Sequence, residues 1–228
     1  MLLKNKIAVV TGASSGLGKA VAEQLSNEGV IVFALARSIK DVMLPKSVIK
    51  VPLNIREIKN IDEAFFTIDK QTDKLDILVN CAGRALTKTL EDTTREEIMD
   101  VFGINLKGNI YIAQEVYKRM LPHKSGHIIN VLSTSGIKAR PDETIYCASK
   151  WGLHGFTESL RLAAYKHKIR VTSVLPGGMQ TNFWSNDDQK DISAYMKAET
   201  VAAEIVHILK TPQSIIPSEL VIERGFSE

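Results

Sequence analysis

The chain has 228 residues, 44% of them hydrophobic and 24% charged, with a net charge of +3, which places it among ordinary folded proteins and excludes collagen-like repeats and compositional disorder. Lys and Arg are scattered among Asp and Glu, so no basic run tracks a phosphate backbone and nucleic acid is not an expected partner. No stretch of about 18 apolar residues occurs, MLLKNKIAVVTG lacks the layout of a signal peptide, and Cys81, Cys147 and the five histidines show no metal-ligand spacing. The expectation is a cytoplasmic protein with reduced thiols, no membrane association and no metal site.

Short Val- and Ile-rich runs recur in chain order: IAVVTG from Ile7, VIVFALA from Val30, VIKVPL from Val48, DILVNCAG from Asp76, HIINVLS from His127, RVTSVLPG from Arg170 and, more weakly, ELVIER from Glu219. They are apolar at successive positions, as strands covered on both faces are. Between them the spacing predicts helices over Leu17 to Asn27, Ile55 to Thr72, Thr93 to Leu121, Ile145 to Lys166 and Thr200 to Leu209. Regular alternation of strand and helix implies right-handed crossovers and a parallel sheet with helices on both faces. The expected architecture is a doubly wound, three-layer α/β fold of Rossmann type. With no Pro/Gly/Ser-rich linker and no shift in composition, residues 1–228 read as one domain. The segment from Gln180 to Lys197 is the least regular and would emerge at the carboxyl edge of the sheet, as a substrate lid or a plain surface excursion.

Directly after the first run comes TGASSGLG, opening into a predicted helix. A tight strand-to-helix turn without side chains lets the backbone approach a pyrophosphate, and the helix N-terminus offers free N–H donors. The candidate cofactor contacts here are Gly12, Ser14, Ser15, Gly16, Leu17 and Gly18. Further on, YCASK puts Tyr146 and Lys150 four apart on one predicted helix, with Cβ atoms about 6 Å from each other. Moving a tyrosine from about 10 to about 7 takes roughly 4 kcal/mol, comparable with one ammonium about 4 Å away at an effective dielectric near 20. The pair therefore reads as a proton donor or acceptor with its tuning cation.

TGASSGLG, then NCAG at 80–83, then YCASK, in this order, resemble the short-chain dehydrogenase/reductase family over nearly the whole chain. The resemblance implies a seven-stranded parallel sheet and hydride transfer between NAD(H) or NADP(H) and a small carbonyl or alcohol substrate. It implies that Asn80, Ala82 and Gly83 form a turn beside the cofactor, and that Lys150 also bonds the nicotinamide ribose. It makes Ser133, thirteen residues before Tyr146, the holder of the substrate oxygen, and Asn105 the residue that interrupts its helix to hold a relay water. In PGGMQT, Pro176, Gly177 and Thr181 match the loop near the nicotinamide.

The carboxylate that would bond an NAD ribose at the end of the second strand is replaced by Ala36, followed by Arg37 and Ser38. Arg37, helped by Ser14, suits a 2′-phosphate, so NADP(H) is favoured and NAD(H) stays possible. Asn54 stands where many relatives have an Asp near the adenine and can still hydrogen-bond there. Met179, Phe183, Trp184 and Arg140 are candidate pocket residues. A homodimer through the helices bearing Asn105 and Tyr146 is expected, with a tetramer open. The alternative is a non-catalytic NAD(P)-binding redox sensor or scaffold, against which the full set of four catalytic residue types weighs.

Overall fold

Each run of β-branched residues forms a strand. Residues 2–184 and 192–225 are described in the computed structural model. The strands are β1 Ile7–Thr11, β2 Ile31–Ala36, β3 Val48–Pro52, β4 Ile77–Asn80, β5 Gly126–Val131, β6 Ile169–Pro176 and β7 Glu219–Ile222. All pair in parallel in the order β3-β2-β1-β4-β5-β6-β7. The expected doubly wound, seven-stranded sheet is thus present.

Side-chain alternation distributes each strand between two cores. Ala8 and Val10 of β1 join the cluster built with α1 (Gly16–Asn27) and α6 (Ala198–Lys210), while Val9 between them faces the cluster that includes Phe65 and Ile68 of α2 (Ile58–Asp69). All eight residues of β6 are buried, which is why its sequence shows no polar alternation.

Two helix expectations change in detail. The predicted helix from Ile55 starts at Ile58, because the Asn54 side chain accepts the Arg56 N–H at 3.3 Å and its carbonyl accepts the Glu57 N–H at 3.1 Å. That local turn competes with helix. The predicted helix over Thr93 to Leu121 is three pieces: α3 Arg95–Phe102, a π-helical turn Gly103–Gly108, and α4 Asn109–Met120. α3 starts with a capping box in which Thr94 and Glu97 satisfy each other's backbone N–H groups. The long helix carrying Tyr146 is α5, Thr144–Tyr165. Of the irregular segment from Gln180 to Lys197, residues 185–191 lie outside the described part, and Met179 and Met196 bridge across it.

The chain reverses its winding direction between β1 and β4, so their carboxyl ends frame a crevice where ligands bind in open α/β sheets. At this point the turn after β1 is packed backbone against backbone: a Cβ placed on Gly18 would lie 2.4 Å from the Gly12 carbonyl oxygen. No side-chain rearrangement relieves that contact. Gly18→Ala is therefore expected to cost about 2–3 kcal/mol, lowering Tm by roughly 6 °C for a chain of this size; thermal denaturation of the two proteins checks it.

Candidate functional site

The crevice is a cleft of about 1030 Å³ running along the carboxyl ends of the strands. Its floor at β1 is the turn Gly12 to Ser15. Gly12 has φ 67°, and a Cβ on it would meet the Ala82 N at 2.9 Å, so the turns after β1 and β4 touch through bare backbone. Ser15 is the N-cap of α1 but its side chain caps nothing, which leaves the first amide groups of the helix for a ligand. Gly16 lies under Thr181, whose Cγ2 would be 3.1 Å from an added Cβ; the loop after β6 thus closes over the glycine turn.

Under the turn after β4 lies a buried amide network. The Asn80 Nδ2 donates to the Asn109 carbonyl at 3.2 Å and to Asn130 Oδ1 at 2.9 Å. Thr11 Oγ1 donates to Asn80 Oδ1 at 3.4 Å and accepts the N–H groups of Cys81 and Ala82, each at 3.1 Å. The Asn109 amide in turn donates to the carbonyls of Ala82, Ile104 and Asn105. Asn130 continues the network to Thr157 on α5 at 3.0 Å.

Tyr146 and Lys150 project from the first two turns of α5 into the wall of the cleft, each only 3% exposed. Burial pushes the Tyr146 phenol well above its usual range; a hydrogen bond with Ser133 opposes this, Glu143 and Cys147 add to it and Arg140 works against it. The Lys150 Nζ stands 5.8 Å from the phenol ring centroid and donates to the Val131 carbonyl at 3.2 Å. Burial lowers its own pKa to about 8. Ser133, two residues past β5, is extended at φ −175° and its Oγ accepts the Ser135 N–H at 3.1 Å. Phe183 packs edge-on against Tyr146, with centroids 6.1 Å apart.

Asn105 falls inside the π-helical turn, where a widened ring tilts it out of helical register. It is fully buried, accepts the Arg84 N–H at 2.8 Å and donates to the Arg84 carbonyl at 2.9 Å and to Ser149 Oγ at 3.1 Å. At the far end of the cleft Arg37 and Ser38 are exposed, and the Arg37 guanidinium has neither a hydrogen bond nor an ion pair among the described residues. Asn54 lines the same end.

Of the residues singled out in the sequence, Gly12, Ser14, Ser15, Gly16, Leu17, Gly18, Arg37, Ser38, Asn54, Ala82, Gly83, Ser133, Tyr146, Lys150, Pro176, Gly177 and Thr181 all line this one cleft, as do Arg140, Met179 and Phe183. Asn80 and Asn105 do not; both lie beneath its floor, where their amides hold backbone. Trp184 has no described side chain. Sequence reasoning passed over Thr11, Asn109, Asn130 and Glu143. Polar residues inside otherwise apolar strands, Thr11 and Asn130, were the available signal; nothing local marked Glu143.

The sequence matches the short chain dehydrogenase family over residues 6–192. An uncharacterized oxidoreductase of Staphylococcus aureus is 31% identical over 230 residues, covering 97% of this chain and 98% of the relative. Actinorhodin polyketide ketoreductase, in a Phe-to-Trp variant crystallised with NADPH, superimposes with a TM-score of 0.85 at 26% identity over 97% of each chain. A short-chain dehydrogenase from Streptomyces avermitilis gives 0.87 at 25% identity over 96% of this chain and 88% of that one. Sequence match, sheet order and the position of the cleft agree, and the chain belongs to the short-chain dehydrogenase family of oxidoreductases.

Proposed function

We propose that this chain is an NADP(H)-dependent oxidoreductase that moves a hydride between the nicotinamide and a carbonyl or secondary alcohol carbon. The observation that carries the reading is the burial of Tyr146 and Lys150, beside the partly buried Ser133, in the wall of the cleft into which the glycine turn opens. A nicotinamide dinucleotide fits the residues present. The uncapped N-terminus of α1 and the bare turn at Gly12 suit a pyrophosphate, and Lys150 lines the inner end of the cleft, where the ribose hydroxyls would be. Bound there, the nicotinamide supplies or accepts the hydride.

The chain's own residues manage the proton. In reduction the Tyr146 Oη donates to the carbonyl oxygen as the hydride reaches carbon; in oxidation the same atom accepts. Because burial keeps the phenol protonated at neutral pH, the resting site is ready to give a proton. Ser133, which lines the cleft with Tyr146, orients the substrate oxygen, and Lys150 is the nearby cation that accommodates a developing phenolate. A Cβ on Gly83 would lie 3.6 Å from Asn105 Oδ1 and 3.7 Å from Lys150 Nζ. Both groups therefore flank the bare turn at Gly83, which suits a proton relay through Asn105.

Arg37, with no hydrogen bond or ion pair among the described residues, with Ser14 and Ser38 in the same cleft and no acid at the end of β2, supports NADP(H) over NAD(H). The NADPH in the actinorhodin ketoreductase structure agrees with this assignment. One sheet holds all seven strands and the cleft draws on residues from Thr11 to Gly225, which supports a single domain. Both cysteines are free and no helix among the described residues is long and apolar enough to cross a membrane; a cytoplasmic location and a homodimer or homotetramer are part of the same proposal.

Titration with NADPH and NADH, followed by nicotinamide fluorescence, tests the cofactor. NADPH is expected to bind more tightly, and Arg37→Ala to lose about 1.5–3 kcal/mol of that preference. Equal affinities in the parent protein refute the assignment. Tyr146→Phe is expected to lower kcat by about 10²–10⁴ with NADPH affinity retained; undiminished turnover removes Tyr146 from the mechanism. For Lys150, a folded-state pKa near 8 against an ordinary 10.5 means that its charge opposes folding fully below about pH 8, and that the opposition fades as pH rises toward 10.5. Lys150→Met should therefore be more stable than the parent at pH 7, by on the order of 3 kcal/mol, while losing turnover, and the stability gain should vanish above pH 10.5 in denaturant titrations.

A further inference from the structure

Helix α5 meets the π-helical turn through its smallest side chains. A Cβ on Gly152 would lie 3.1 Å from Leu106 Cδ2, and one turn earlier on the same helix the Ser149 hydroxyl reaches the amide of Asn105. Neither Ser149 nor Asn105 has any exposed surface. The Ser149 hydroxyl donates its proton to the Tyr146 carbonyl at 2.7 Å and accepts from Asn105 Nδ2 at 3.1 Å. One buried hydroxyl thus joins the backbone of the residue that bears the phenol to an amide on another element.

These bonds fix which way the Asn105 amide faces. With its proton spent on Tyr146, Ser149 can only accept from Asn105, so Nδ2 must stand opposite it. The Arg84 backbone imposes the same orientation, since its N–H donates to Asn105 Oδ1 at 2.8 Å and its carbonyl accepts from Nδ2 at 2.9 Å. Both amide hydrogens are consumed in this way, while Oδ1 can accept one more. The point where a Cβ on Gly83 would lie is 3.6 Å from that oxygen and 3.7 Å from Lys150 Nζ. Asn105 therefore presents an acceptor, and no donor, on the side where Lys150 stands.

We propose that Ser149 is a positioning residue for proton transfer at this site, holding the Asn105 amide so that its oxygen stays on the Lys150 side and tying that amide to the backbone of Tyr146. This rests on the reading of Tyr146 as the proton donor. When Tyr146 gives its proton to the carbonyl oxygen and the hydride forms the new C–H bond, a phenolate is left. Its O–H bond re-forms with a proton from the Lys150 ammonium, and the amine so formed takes one from solvent water, leaving hydroxide to the bulk. An acceptor at Asn105 Oδ1 orients the N–H or O–H group that takes part. An amide released by Ser149 can turn an N–H there, and donor would then face donor.

The test is a double-mutant cycle of Ser149→Ala and Asn105→Ala, read by kcat for NADPH-driven reduction of a small carbonyl compound in H2O and in D2O. Ser149→Ala is expected to lower kcat about tenfold, the effect of one unmet buried donor, with the KM for NADPH little changed. The solvent isotope effect should rise, because proton resupply becomes the slow step. Since Ser149 acts through Asn105, the double variant should turn over no more slowly than Asn105→Ala alone. Losses that multiply, or a lower kcat with the parent's isotope effect, show that Ser149 only packs α5 and overturn the proposal. Exchange of the Asn105 side-chain amide hydrogens, followed by NMR, should be slow in the parent and faster in Ser149→Ala; equal rates overturn the proposal even where kcat falls. The isotope effect and the exchange need only Ser149→Ala, so they decide the matter if Asn105→Ala does not fold. If the parent reduces no carbonyl compound, the oxidoreductase reading fails and the proton-transfer role with it, while amide exchange still shows whether Ser149 holds Asn105.

Discussion

The upper edge of the sheet depends on how one buried amide is satisfied. Asn80 ends β4 with no exposed surface, and its three hydrogen bonds reach β1 through Thr11, β5 through Asn130 and α4 through the Asn109 carbonyl. Each such group left unpaired would cost about 1–3 kcal/mol, so the four elements are held in one relative position. Asn109 extends the arrangement by donating to the carbonyls of Ala82 and Asn105, which fixes the turn after β4 to the π-helical turn. The turns after β1 and β4 and the π-helical turn are therefore parts of one hydrogen-bonded frame. Only its outer surface lines the cleft.

Within that frame the two titratable residues at the cleft wall are held against their own solvation. Burial raises the Tyr146 phenol and lowers the Lys150 ammonium to about 8. Both shifts favour the neutral form. A site of this kind is less stable than an apolar one of the same shape. It responds strongly to any charge that enters or leaves, because little water is present to screen it.

Much of the architecture was legible because the physics that builds it is local. Seven runs became seven strands, since each is long enough only for a strand, with β7 the half-exposed one among them. Helix interruption at Gly103–Gly108 was signalled by Asn105 only through the family resemblance; periodicity alone reads Thr93 to Leu121 as one helix. The start of α2 at Ile58 was misplaced because the Asn54 turn competes with helix through hydrogen bonds that no hydrophobic pattern records. Likewise Asn80 reads as a cofactor contact from its motif, yet its amide is spent inside the sheet.

The sequence by itself determined the element order, the parallel sheet and the residues that could carry phosphate binding and proton transfer, because these follow from periodicity, from glycine spacing and from the chemistry of Tyr, Lys and Ser. Tertiary structure alone decided which of them share a cleft, which lie beneath it, and what charges surround the phenol. Those outcomes depend on distances and burial between residues far apart in the chain, such as Thr11 and Asn80 or Asn80 and Asn130. The sign and size of an electrostatic effect are set by desolvation and geometry, and neither is written in the spacing of residues along one strand or helix.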